Sequence, residues 1–104
     1  MPRRIVEIAP EALADIQADA DYIREELCNP EAARRMSREV MDRIKSLRSG
    51  VVPGTPIRTA SLLLSQYRFV LAANHFVFFR IECDRVLVVR IIHQRRDYEK
   101  LLEP

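Results

Sequence analysis

Two apolar rhythms divide this chain, and the order in which they come leaves few folds open. Apolar residues first recur every three or four positions, at Leu13, Ile16, Ala20, Ile23 and Leu27 and then at Ala33, Met36, Val40, Ile44 and Leu47. That spacing predicts two helices, each with one buried stripe. From Tyr67 onward the pattern changes to runs rich in Val, Ile, Phe and Tyr, at Tyr67 to Ala72, His75 to Glu82 and Val86 to His93, which is strand chemistry. Their connections, Ala73-Asn74 and Cys83-Asp84-Arg85, are short enough only for antiparallel hairpins. Helices gathered ahead of an antiparallel sheet predict an α+β layer.

The punctuation agrees with this division. Ile5, Val6 and Ile8 form a first strand that ends at Pro10, a proline placed for the first turn of a helix. Asn29, Pro30 and Glu31 supply an N-cap, a first-turn proline and an early acid for the second helix, and Gly50 suits its left-handed cap. Residues 51–66, with Pro53, Gly54 and Pro56, read mostly as loop, although Leu62, Leu63 and Leu64 require burial. Arg96 to Leu102 can form a helical turn. The expected order is βααβββ with a short C-terminal helical turn, one domain over residues 1–104, the first strand pairing in parallel with the last.

An apolar fraction of 48% and a charged fraction of 31% exclude a disordered chain and are enough for one core. No apolar run reaches membrane-spanning length, and Arg3, Arg4 and Glu7 stand where a signal peptide needs apolar residues, so a cytoplasmic location is expected. Cys28 and Cys83 lack metal-ligand spacing and read as free thiols. No His/Cys/Asp/Glu cluster suggests a metal, and no cofactor is expected. The charge is uneven. Residues 1–31 hold eight acids against three bases, whereas residues 32–104 hold seven acids against fourteen bases. Between Arg43 and Ile81 no acid occurs, and fifteen of the seventeen bases are arginine, whose planar fork suits carboxylate or phosphate. Such a surface is either a solvated face or a meeting place for an acidic partner or a nucleic acid.

The final segments carry a resemblance. Tyr67-Arg68 opens one strand, His75-Phe76-Val77-Phe78-Phe79-Arg80-Ile81 forms the next, and Val88-Val89-Arg90-Ile91-Ile92-His93-Gln94-Arg95-Arg96-Asp97 leaves the last. These stretches resemble the C-terminal half of RelE/ParE toxins of type II toxin–antitoxin systems, and the His-x-Arg-x-Asp ending is similar to that of many ParE members. The resemblance implies a toxin that arrests growth and is neutralised by a cognate antitoxin in a hetero-oligomer. ParE-type members act on DNA gyrase, whereas RelE-type members cut messenger RNA on the ribosome. RelE-like ribonucleases carry a Tyr-Arg pair where this chain has His75-Phe76, and lysines on the preceding strand where it has only Arg68, so the resemblance favours the ParE branch.

Metal-free RNA cleavage needs a base, a phosphate-binding cation and an acid. Candidates for that alternative are His93 for proton transfer, Arg68, Arg95 and Arg96 around phosphate, and Tyr98 for base stacking. Tyr98 also reads as a half-buried anchor, and His93 as a structural or interface group. His75 adjoins a turn with no evident acid partner. The expected partner-binding set is Arg58, Arg68, Arg80, Arg90, His93, Arg95 and Arg96. For the in-strand arginines two readings stay open, internal ion pair or partner contact. Phe78 and Phe79, being adjacent, must face opposite sides of the sheet.

Overall fold

A computed structural model describes residues 3–49, 54–57 and 66–102. The expected Gly50 cap, Arg58 and the Leu62 to Leu64 run lie outside the described residues. The chain runs β1 (Ile5–Ile8), α1 (Pro10–Glu25), α2 (Pro30–Ser46), β2 (Thr55–Pro56), β3 (Arg68–Ala72), β4 (His75–Glu82), β5 (Arg85–His93) and α3 (Tyr98–Leu102). The sheet order is β1-β5-β4-β3-β2. β1 lies parallel to β5, from Ile5 beside Arg85 to Ile8 beside Val88, and β3, β4 and β5 form the antiparallel meander.

A fifth strand stands at Thr55 and Pro56, within the segment read mostly as loop. Thr55 and Pro56 pair with Phe69 and Arg68, and the Ile57 N–H donates to the Tyr67 carbonyl. Proline is admissible there because β2 is an edge, where the missing N–H faces away from the sheet. Gly54 lets the chain enter this strand. It sits at φ +74, and a Cβ on it would stand 2.6 Å from the Phe69 carbonyl oxygen.

Two-residue turns close both hairpins. Ala73 and Asn74 each have positive φ, at 50° and 63°, as a turn matched to strand twist requires. α2 begins as expected, with the Asn29 side chain accepting the Ala32 N–H at 3.0 Å. α1 departs from the predicted stripe. Ala12 and Ile16 are buried, while Leu13 and Leu27 are 40% and 57% exposed. Ile16, Ala20 and Ile23 face the core as predicted, so the stripe differs only at its ends, where Ala12 replaces Leu13 and Leu27 lies beyond the helix.

The helices cover one face of the sheet. Ile16, Met36, Val40, Ile44 and Leu47 meet Val77, Phe79, Val86, Val88 and Ile91 there. The opposite face holds a smaller cluster of Ile57, Phe78, Ile92 and Leu102, flanked by Phe76 and Tyr98. Phe78 and Phe79 do face opposite sides, and both are essentially fully buried. Between them the register shifts. Phe78 pairs with Arg90 but Phe79 with Val88, so Val89 is an extra residue on β5. Before this bulge Val86 and Val88 point to the helices. After it, Ile91 does.

Candidate functional site

Most acids of α1, Asp21 and Glu25 among them, are exposed. Two turn inward instead, because Asp15 and Asp19 lie one helical turn apart along the edge that meets the sheet. β1 ends at Ile8, so beyond it the edge of β5 has lost its strand partner. Asp15 takes that place. Its Oδ2 accepts the Ile91 N–H at 2.9 Å, and its two oxygens receive the Arg90 fork at 2.7 and 2.9 Å. Arg90 also donates to the Leu101 carbonyl at 3.0 Å, tying α1, β5 and α3 together. The Asp15 hydrogen bond raises the Arg90 pKa against the opposing effect of burial. Of the two readings left open for Arg90, the internal ion pair describes this geometry.

One turn further along α1, Asp19 reaches His75. Sequence gave this histidine no acid, but the Asp19 Oδ2 lies 2.7 Å from Nε2 and the Ala73 carbonyl lies 2.7 Å from Nδ1. A carbonyl and a carboxylate are both acceptors, an arrangement that favours the doubly protonated ring, which can donate from both nitrogens. Burial pulls the His75 pKa down, but the hydrogen bonds to Asp19 and Ala73 outweigh it and leave the pKa raised. The imidazole side chain is 3% exposed.

His93 stands across the strand pair from His75, with ring centroids 5.1 Å apart. Its state is the opposite one. Burial and the neighbouring His75 charge lower its pKa, and the Arg95 backbone N–H donates to its Nδ1 at 3.1 Å. The neutral ring therefore keeps its proton on Nε2 and offers a donor to its surroundings.

This histidine pair forms one wall of a groove of about 500 Å³ between the end of α1 and the segment leaving β5. Tyr22 and Leu27, 56% and 57% exposed, supply its apolar surface, and the exposed Arg95 and Arg96 flank it. The combination is an apolar surface with a cationic border, suited to an amphipathic acidic ligand.

The remaining predicted residues are dispersed. Arg68, on β3, donates to the Gly54 carbonyl at 3.0 Å, away from the groove. Arg80 lies 2.7 Å from Glu82 but without hydrogen-bond alignment at Nε, and both side chains remain partly exposed. Tyr98 packs its ring on Phe76 and Phe78, with centroids 5.4 and 5.2 Å away, which is the anchor alternative rather than a free stacking platform. Among the described residues of the predicted set, only His93, Arg95 and Arg96 come together at the groove. The residues that sequence reasoning missed, Asp15, Asp19, Tyr22 and Leu27, had no signal beyond their place on a helix. Among the described residues no group of three His, Cys, Asp or Glu side chains is placed to hold a metal ion, and no helix is long and apolar enough to cross a membrane.

Comparison with known proteins adds the following. A search of curated protein sequences finds no match. Among solved structures, the chain is similar to one from the chromosomal ParDE toxin–antitoxin system of P. aeruginosa, with a TM-score of 0.71 and 18% identity over 88% of this chain and 96% of that one. It is also similar to YafQ from E. coli strain BL21(DE3), with a TM-score of 0.56 and 11% identity over 97% of this chain and 100% of that one. These identities speak for the shared fold. The family described as the ParE toxin of the type II toxin–antitoxin system parDE matches residues 6–98. Because that match spans the helical hairpin and the sheet from Val6 to His93, this chain belongs to the ParE toxin family.

Proposed function

We propose that this toxin arrests growth in the cytoplasm by binding DNA gyrase through the groove beside His93, Arg95 and Arg96, and that it does so without cleaving RNA. A cognate antitoxin partner follows from the family, and its neutralising segment acts by covering or distorting the same surface. One observation carries the preference for binding over catalysis. The basic nitrogen of His93 is already occupied by the Arg95 N–H, and the other histidine is held by Asp19 and Ala73. Neither ring presents an unprotonated nitrogen to a 2′-hydroxyl, so the general base of a metal-free ribonuclease is missing from this corner. What the corner offers is donors, cations and apolar area, the elements of a protein-binding surface.

The test is inhibition of gyrase supercoiling by the purified toxin, with trapping of cleaved DNA as a second readout. The Arg95→Glu/Arg96→Glu double variant is expected to lose inhibition by roughly tenfold or more, the equivalent of about 1.4 kcal/mol. A toxin that leaves gyrase unaffected while cutting transcripts in translating ribosomes overturns the proposal. In that case His93→Ala should abolish the cutting while retaining the fold and antitoxin binding.

A further inference from the structure

A second basic site lies between the two helices, at the surface of the hairpin. A hollow of about 270 Å³ is lined by Ala20 and Arg24 of α1 and by Ala33, Arg34, Ser37 and Arg38 of α2. The two alanines leave room between the helices, and among the described residues no acid and no aromatic ring lines the hollow. Arg24 donates to Asp21. Arg34 and Arg38 are exposed and have no ion-pair partner among the described residues.

The same side of α2 continues the charge. Arg34, Arg38, Met41 and Lys45 follow at steps of four, three and four residues, which sets them in one stripe along the helix, about 16 Å long. Lys45 is exposed and Met41 half-buried. Glu31 and Asp42, the acids one helical turn from these positions, form no ion pair with them. The electrostatics of α2 itself does not account for Arg34 and Arg38. Cations stabilise a helix at its C-terminal end, whereas these two lie one and two turns from the N-terminal end, and like charges four residues apart repel. An anion laid across the pair removes that repulsion, and the arginine fork suits phosphate oxygens.

We infer that the stripe from Arg34 to Lys45 holds the phosphate backbone of double-helical DNA, with one phosphate seated in the hollow among Arg24, Arg34, Ser37 and Arg38. The lining decides the class of partner. A protein would need an apolar centre to pack on, and the hollow offers two alanine methyl groups. A single strand would need aromatic platforms for its bases, and no ring is present there among the described residues. Backbone contacts need neither, and they position a duplex without reading its sequence. The stripe is separate from the groove beside His93, so this contact does not depend on the toxin's target.

The experiment is fluorescence anisotropy of the full chain with a short labelled DNA duplex, repeated over a series of salt concentrations. Saturable binding at low salt is expected, and contacts from Arg34, Arg38 and Lys45 alone give log K against log salt a slope of about −2.7. Removing two of them in Arg34→Ala/Arg38→Ala should make the slope shallower by about 1.8, and equally so for two duplexes of unrelated sequence. Arg35→Ala/Arg43→Ala deletes two exposed cations of the same helix outside the stripe and should move the slope by less than about 0.5. Circular dichroism checks that both variants keep the fold. Absence of saturable binding at low salt, an unchanged slope in Arg34→Ala/Arg38→Ala, equal losses in the two double variants, or equally tight binding of polyglutamate through Arg34 and Arg38 would each overturn the inference.

Discussion

Replacing Asp15 with alanine should destabilise this toxin more than any other removal of a surface-facing acid, and the cost can be worked from its contacts. The side chain is 14% exposed and its partner Arg90 is 24% exposed. A fully buried ion pair that loses one member costs about 3–5 kcal/mol. Water reaches part of the Arg90 guanidinium, and the Leu101 carbonyl remains bonded to it, so about 2 kcal/mol is the appropriate share here. The Ile91 N–H also loses its acceptor, adding roughly 1–2 kcal/mol. The expected total is about 3–4 kcal/mol, or a fall in Tm of roughly 15–25 °C for a domain of this size. Asp15→Asn retains one acceptor oxygen and should cost about half as much. Urea unfolding followed by circular dichroism measures both. In the double variant Asp15→Ala/Arg90→Leu no unpaired charge remains, and it should recover at least about 1 kcal/mol relative to Asp15→Ala. A loss below about 1 kcal/mol for Asp15→Ala, with no recovery in the double variant, would show that the fork behaves as an exposed pair and that α1 is held by apolar packing alone.

Three further outcomes follow from other contacts. His75 has a raised pKa, so its contribution to stability is complete below the ordinary value of 6.5 and is lost as pH rises through its folded value; the stability difference between wild type and His75→Gln should shrink across that alkaline side, and a flat difference refutes the ion pair. His93 has a lowered pKa, so its contribution is present above 6.5 and is lost as pH falls through its folded value. Because the His75 charge is one cause of that lowering, NMR titration of His75→Gln should find His93 protonating at higher pH than in wild type, and an unchanged His93 curve would deny the coupling. Gly54→Ala should cost about 2 kcal/mol or more by thermal denaturation, given φ +74 and a 2.6 Å approach to the Phe69 carbonyl; a neutral effect would mean that β2 can be released at little cost.

The layered architecture was legible because it depends on periodicity and on connection length. The spacing of Met36, Val40, Ile44 and Leu47 and the brevity of Ala73-Asn74 each leave one local solution, and together they impose the helix-backed meander. The parallel placement of β1 could be anticipated because the opening apolar run needed a partner that the hairpins did not supply. β2 was hidden by the prolines that usually mark loops, and two residues are too few to display alternation. The site was far less legible. Asp15 and Asp19 look like their solvated neighbours Asp21 and Glu25, and only the place where β1 stops decides which acids meet the sheet. His75 and Asp19 are 56 positions apart, so no local pattern joins them. His93, Arg95 and Arg96 were visible as a motif, but of the apolar part of the same groove Leu27 was placed in the buried stripe from helical spacing and Tyr22 carried no signal.

The extra residue, Val89, lies on the same side as Phe78, so Val88 and Ile91 both keep the helix face although three positions separate them. A chain that lost Val89 would pair Arg90 with Phe78 directly after Val88 with Phe79, and Arg90 and His93 would keep the sides they now occupy. The corner that holds the α1 anchor and the histidine pair is therefore counted from the Phe78–Arg90 pair onward, and a change of length at the bulge leaves it in register.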